Sequence, residues 1–137
     1  MNDRYLYRAK RKNWRELPKD KWWVEGYLYG IWERRYILWG MTNDVPNMVE
    51  VDQSTICQCT GLKDKSGKLI WENDIVRDEQ GNFYKAFWQN NYYQFSWVCV
   101  KTDVFLIGTK WDLWSIKSFE IEVIGNKFDN PELLEVG

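Results

Sequence analysis

The chain is written in short pieces. Bulky aromatic and β-branched residues alternate with polar ones for five to twelve positions, and the runs are interrupted or bounded by glycine, asparagine, aspartate or proline. WWVEGYLYGIW (22–32), RYILW (35–39), VEVDQSTICQCT (49–60), NFYKAFW (82–88), YYQFSWVCV (92–100) and FEIEVIGN (119–126) all have this form. A period of two with turn residues at the breaks specifies antiparallel strands joined by hairpins, because successive side chains on a strand face opposite sides. The expected fold is mainly β. Ten Trp, eight Tyr and six Phe make up 18% of the residues and suit such a core, since these rings favour strands and bury large areas. A chain of 137 residues cannot hide ten indoles easily, so an exposed aromatic patch, and with it a protein partner or a homo-oligomer, is expected.

Individual segments can be placed. Residues 4–9 read as a first strand, RKNWRELPKD as a polar connection, and Gly26 and Gly30 as places where a strand bends or admits a neighbouring backbone. GMTNDVPNM (40–48) gathers turn formers and is the expected bridge between two lobes, 1–48 and 49–126, followed by a tail over 127–137. Gly67 and Asn73 are expected at corners that need positive φ, EQGN (79–82) as a hairpin turn, VFLIG (104–108) as an apolar strand, and Pro131 as the first position of a short helical turn. KWDLWSIKSF (110–119) suits either a short helix or an irregular crossing.

Several function classes lose their chemistry. There is no histidine, which removes the commonest general base and metal ligand. Cys57, Cys59 and Cys99 are an odd set that neither frames disulfides nor completes a zinc site, and they read as buried small apolar residues of a reducing compartment. No apolar run is long enough to cross a bilayer, so no membrane association and a cytoplasmic location are expected. Glu72, Asp74 and Asp78 lie close in sequence and are the one candidate set for a magnesium ion, but no glycine-rich phosphate loop or nucleophile elbow accompanies them. A non-enzymatic protein without a cofactor or metal is the expectation.

Charge is uneven. Residues 1–21 hold eight basic against three acidic residues, a net +5, which leaves −6 for the rest of a chain whose total is −1. Basic side chains interleaved with Tyr5, Tyr7, Trp14 and Leu17 describe a strand with a charged solvated face; the alternative is binding of single-stranded nucleic acid by stacking and phosphate contact.

The stretch QCTGLKDKSGKLIWENDIV (58–76), with EIEVIGNKFDNPELL (120–134), RAKRKNW, WWVEGYL and VDQSTI, resembles the YopX family of phage and prophage proteins over nearly the whole chain. Cys59 stands where that family has tyrosine before Thr-Gly-Leu, and Asn73 where it has glycine. The resemblance implies an SH3-like small barrel in the central and carboxy-terminal part (49–126), a bacterial host cell, and no established activity or catalytic residues. In the central motif Lys63, Asp64, Lys65 and Lys68 are expected to be solvated around a turn, Leu62, Ile70, Trp71, Ile75 and Val76 to face the core, and Glu72 and Asp74 to decorate the next turn. Candidate contacts for a protein partner are Lys63, Asp64 and Lys65 on that turn and the tryptophans Trp22, Trp23, Trp88 and Trp111.

Overall fold

The structure, a computed structural model, describes residues 5–104, 106–112, 115–116 and 119–134. It is mainly β, with antiparallel sheets, and the chain divides into two compact units, Met1–Cys59 and Thr60–Gly137.

The first unit contains β1 (Tyr7–Lys10), β2 (Trp23–Ile31), β3 (Arg34–Thr42), β4 (Val45–Glu50) and the start of β5 (Cys57–Lys63), ordered β4-β3-β2-β1-β5. Alternation sorts the side chains. Ala9, Val24, Ile37 and Val51 are buried with Tyr7, Leu28, Val49 and Ile56 packed against them, so one face of the sheet is its core. Gly26 lies on that face opposite Tyr7, and a Cβ there would stand 2.1 Å from the Leu38 carbonyl oxygen. Close backbone approach is thus what this glycine permits. The connection between β1 and β2 folds into two 3-10 turns, Trp14–Glu16 and Lys19–Lys21.

Residues 40–48 do not form a bridge between lobes. They complete β3 and open β4, which pair from Tyr36↔Glu50 to Thr42↔Val45 around a bulge at Trp39/Met41, with Asn43 and Asp44 at positive φ in the turn. Asn and Asp tolerate that conformation, so a cluster that reads as a linker is a hairpin. The division between the units falls later, at 59/60.

The second unit contains the end of β5, β6 (Leu69–Trp71), β7 (Asp74–Arg77), β8 (Phe83–Gln89), β9 (Gln94–Lys101), β10 (Lys110–Trp111) and β11 (Glu122–Asn126). A five-stranded sheet runs β10-β9-β8-β7-β11. Its edge strands β10 and β11 are not paired with each other, so the expected barrel is not closed among the described residues. The core comprises Ile70, Val76, Tyr84, Ala86, Phe95, Trp97, Cys99, Ile116 and Ile121, with Leu62, Trp88, Trp111, Phe119 and Val123 against it. Cys57, Cys59 and Cys99 are buried and outside any disulfide, as expected.

Two loops of this unit are the same device. Asp64-Lys-Ser-Gly-Lys68 and Asp78-Glu-Gln-Gly-Asn82 each place glycine at positive φ (Gly67, 84°; Gly81, 86°) and use the leading aspartate to hold the turn. Asp64 Oδ1 accepts from the N–H groups of Ser66 and Lys68 at 2.9 Å, and Asp78 Oδ1 accepts from those of Gln80 and Asn82 at 2.9 Å. This is side-chain mimicry of backbone acceptors. Pro131–Leu134 is a 3-10 turn as expected, and Ser115–Ile116 are helical, with residues 113–114 and 117–118 of that segment outside the described residues. The expected strand at 104–108 is absent among the described residues: Val104, Leu106 and Ile107 lie in an exposed turn.

Candidate interaction surface

Asp64, expected on a solvated turn, is buried, and its second carboxylate oxygen accepts from the Val123 N–H at 2.9 Å. Burial pushes the carboxyl up, but the N–H donors of Val123, Lys68 and Ser66 outweigh it and hold the group below the usual carboxylate range. Asp64 therefore locks the loop to β11. Lys63 and Lys65 remain exposed, and Lys65 pairs with Glu122 at 3.7 Å.

The magnesium set separates in the same way. Asp74 is buried and accepts from the Trp71 N–H at 2.8 Å, against the expectation that it decorates a turn, while Glu72 is half-buried. Asp78 accepts from the Asn82 amide and the Tyr84 hydroxyl, each at 2.8 Å. Burial raises Asp78, yet these donors together with backbone N–H groups bring it below its ordinary value; burial and then the Asp78 carboxylate push the Tyr84 hydroxyl up. Among the described residues, no group of three or more acidic or sulfur ligands converges.

The four tryptophans have core or scaffolding places. Trp88 stacks edge-on against Phe95 at 5.0 Å and Trp111 against Phe119 at 5.1 Å, both at the margin of the second unit's core. Trp22 and Trp23, with Trp14, surround Lys10. This lysine is only 2% exposed, and its ammonium lies 4.0, 4.3 and 5.5 Å from the ring centroids of Trp14, Trp22 and Trp23. Arg8 lies over Trp23 and Arg15 over Trp14 at 4.7 and 4.3 Å. Arg11 donates to the Lys21 carbonyl, and Lys12 pairs with Glu50 at 3.1 Å. Part of the amino-terminal positive charge is thus turned onto the protein's own rings and acceptors as a cation–π scaffold.

The exposed aromatic surface lies beyond this cluster, on the sheet face opposite the first unit's core. Cross-strand pairs Tyr27↔Leu38, Tyr29↔Tyr36, Ile31↔Arg34 and Leu38↔Met48 put Tyr27, Tyr29, Ile31, Tyr36, Leu38 and Met48 side by side. Tyr27 is 50%, Tyr29 45%, Ile31 40% and Met48 49% exposed. At the tip, Trp32 and Glu33 make a two-residue turn between the paired Ile31 and Arg34. Trp32 is 93% exposed with φ of 56°. The Arg35 guanidinium donates to the Trp32 and Arg34 carbonyls at 3.0 Å, holding the turn from below. Ile31, Trp32, Glu33, Arg34 and Tyr36 line a shallow cleft of about 580 Å³.

Sequence reading missed Trp32 for a definable reason. Every tryptophan in an alternating run reads as core until register is known, and the residues that flag a turn, Gly or Asn, are absent from this one.

No protein of curated function matches the sequence. The crystal structure of protein EF1440 from Enterococcus faecalis is similar in fold, with a TM-score of 0.52 and 20% identity, covering 94% of this chain and 96% of that one. The profile of the family described as YopX protein matches residues 7–135. With nearly the whole length covered, the chain belongs to the YopX family.

Proposed function

We propose that this YopX-family chain is a non-enzymatic protein-interaction module, encoded by a phage or prophage, that engages protein through the exposed face of β2, β3 and β4. The observation that carries this reading is Trp32. A side chain larger than any other is held at positive φ, where a residue with a Cβ costs about 1–2 kcal/mol, and its ring gains almost no burial in return. A turn built only for folding favours glycine, asparagine or aspartate there. Strain without packing is the pattern of a residue kept for contact, and Trp, Tyr and Arg are the residue types that dominate protein interfaces. Beside it stands a neighbouring row of tyrosines that a core would have hidden.

Catalysis finds no support in the carboxylates, because Asp64, Asp74 and Asp78 each serve a turn. The test uses the chain as bait in extracts of bacterial cells carrying the phage, with Trp32→Gly and Tyr29→Ser beside the wild type. Leu106→Ser, at an exposed loop of the second unit, is the control. Proteins retained by wild type and control but lost from both face variants support the reading; an identical set on all four baits overturns it.

A further inference from the structure

The geometry points to a second binding site, an open cleft at the end of the β8–β9 hairpin that takes the acetamido group of an N-acetylated amino sugar. Its lining belongs to the second unit and shares no residue with the β2–β4 face. Gln89 and Gln94 are the last cross-strand pair before the turn, and Phe87↔Ser96 lies two residues further in. Alternation puts Gln89, Gln94 and Ser96 on the face opposite the core residues Trp88, Phe95 and Trp97. Ser96 is only 1% exposed. Its hydroxyl donates to the Gln89 carbonyl oxygen at 2.7 Å and accepts from the Gln94 amide nitrogen at 3.5 Å. One hydroxyl thus orients both amides, so that Gln89 presents its NH2 and Gln94 its carbonyl oxygen to the cleft.

The rim completes the site. Asn90–Tyr92 is a 3-10 turn closed by Tyr93 at a φ of 50°, and it brings Tyr92, 67% exposed, to the cleft. Lys110 and Asp112 add one charge of each sign, with Asp112 also accepting from the Ser115 N–H at 2.8 Å. The cleft holds about 440 Å³, within the roughly 300–1,000 Å³ of small-ligand sites.

This balance selects a neutral ligand. An anion meets Asp112 as well as Lys110, and an apolar molecule leaves the two amides unpaired, which weakens binding. A secondary amide matches both, because its carbonyl oxygen accepts from Gln89 while its N–H donates to Gln94. Peptides and acetamido sugars share that group. The paired charges of Lys110 and Asp112 favour the sugar, whose hydroxyls each donate and accept, and the Tyr92 ring suits the C–H face of a pyranose.

Saturation-transfer difference NMR with N-acetylglucosamine as the probe tests the assignment. The wild type is expected to transfer saturation most strongly to the acetyl methyl group, with a Kd on the order of 1 mM for so small a ligand. Glucose, which lacks the acetamido group, and N-acetylglycinamide, which lacks the ring hydroxyls, are each expected to bind about tenfold more weakly. Gln94→Ala and Tyr92→Ala are each expected to weaken N-acetylglucosamine about tenfold, and Leu106→Ser to leave it unchanged. Should Gln94→Ala fail to fold by circular dichroism, Tyr92→Ala, which removes an exposed ring, carries the test. No saturation transfer to N-acetylglucosamine overturns the inference, as does binding that neither cleft variant weakens. Glucose bound equally well refutes recognition of the acetamido group, and N-acetylglycinamide bound equally well makes the site one for peptide rather than sugar.

Discussion

Replacing Trp32 by glycine is expected to disarm the protein while leaving the stability of its fold nearly unchanged. Three contributions set the sign. Relief of positive φ returns about 1–2 kcal/mol, because glycine occupies that region freely. The greater freedom of glycine in the unfolded chain takes back about 0.5–1 kcal/mol. Lost burial is small: with 93% of the residue exposed, the remaining 7% of an indole of about 250 Å² is worth about 0.4 kcal/mol. The sum runs from about 0.4 kcal/mol of loss to about 1 kcal/mol of stabilisation, centred slightly on the stabilising side. Alanine at the same position keeps the strain and loses the ring, so Trp32→Ala is expected to fall below Trp32→Gly by up to about 1 kcal/mol, the reverse of their usual order within strands and helices. Urea unfolding followed by far-ultraviolet circular dichroism, extrapolated linearly with matched slopes, measures all three proteins. A glycine variant that loses more than about 1 kcal/mol, or an alanine variant as stable as the glycine one, would show that the ring packs or that the turn is unstrained, and the argument from strain to function would fail.

Other expectations follow from the scaffold. Gly26→Ala brings a Cβ against the Leu38 carbonyl, a backbone atom with no freedom to rotate away, and should cost more than about 2 kcal/mol in the same urea assay. Asp64 and Asp78 have folded pKa values below those of the unfolded chain, so the stability they confer is complete above the ordinary carboxylate range and is lost as pH falls through it. Asp64→Asn and Asp78→Asn should therefore be less stable at pH 7 and show shallower acid unfolding, and an unchanged pH profile for both would refute this. Tyr84→Phe removes one donor to the buried Asp78 carboxylate and should cost about 1–3 kcal/mol, read by thermal unfolding. Lys10→Met exchanges a cation for an apolar chain of similar length inside three indoles; a loss of about 1–2 kcal/mol is expected, where a plain hydrophobic pocket would gain.

The strands were legible because their chemistry is local. Alternation placed β2, β8, β9 and β11 close to their observed bounds, and Gly67, Asn73 and Gly81 stand at positive φ as turn chemistry demands. Asp64 and Asp78 could have been read further: the shared spacing of aspartate, glycine and a fifth residue is a turn signature, and an aspartate that caps a turn is drawn inward by the N–H groups it satisfies. The bridge at 40–48 was illegible as a strand pair because Asn43-Asp44 makes a tight hairpin without the glycine that usually announces one. Residues 104–108 show the opposite failure, since an apolar run reads as a strand even when it lies in an exposed turn with no strand partner among the described residues. The aromatic surface was foreseen in kind but not in place. Which tryptophans face water depends on strand register and on which sheet face is covered, and neither is a local property.

The central claim is that Trp32 and the tyrosine row exist to touch another polypeptide. Its most direct measurement is fluorine NMR of the chain carrying 5-fluorotryptophan, with the Trp32 resonance assigned by its absence in Trp32→Gly, followed as partner polypeptide or the chain's own concentration is raised. The account predicts that this resonance shifts or broadens while those of Trp88 and Trp97 stay fixed. A Trp32 signal unmoved under conditions where the others change would contradict it.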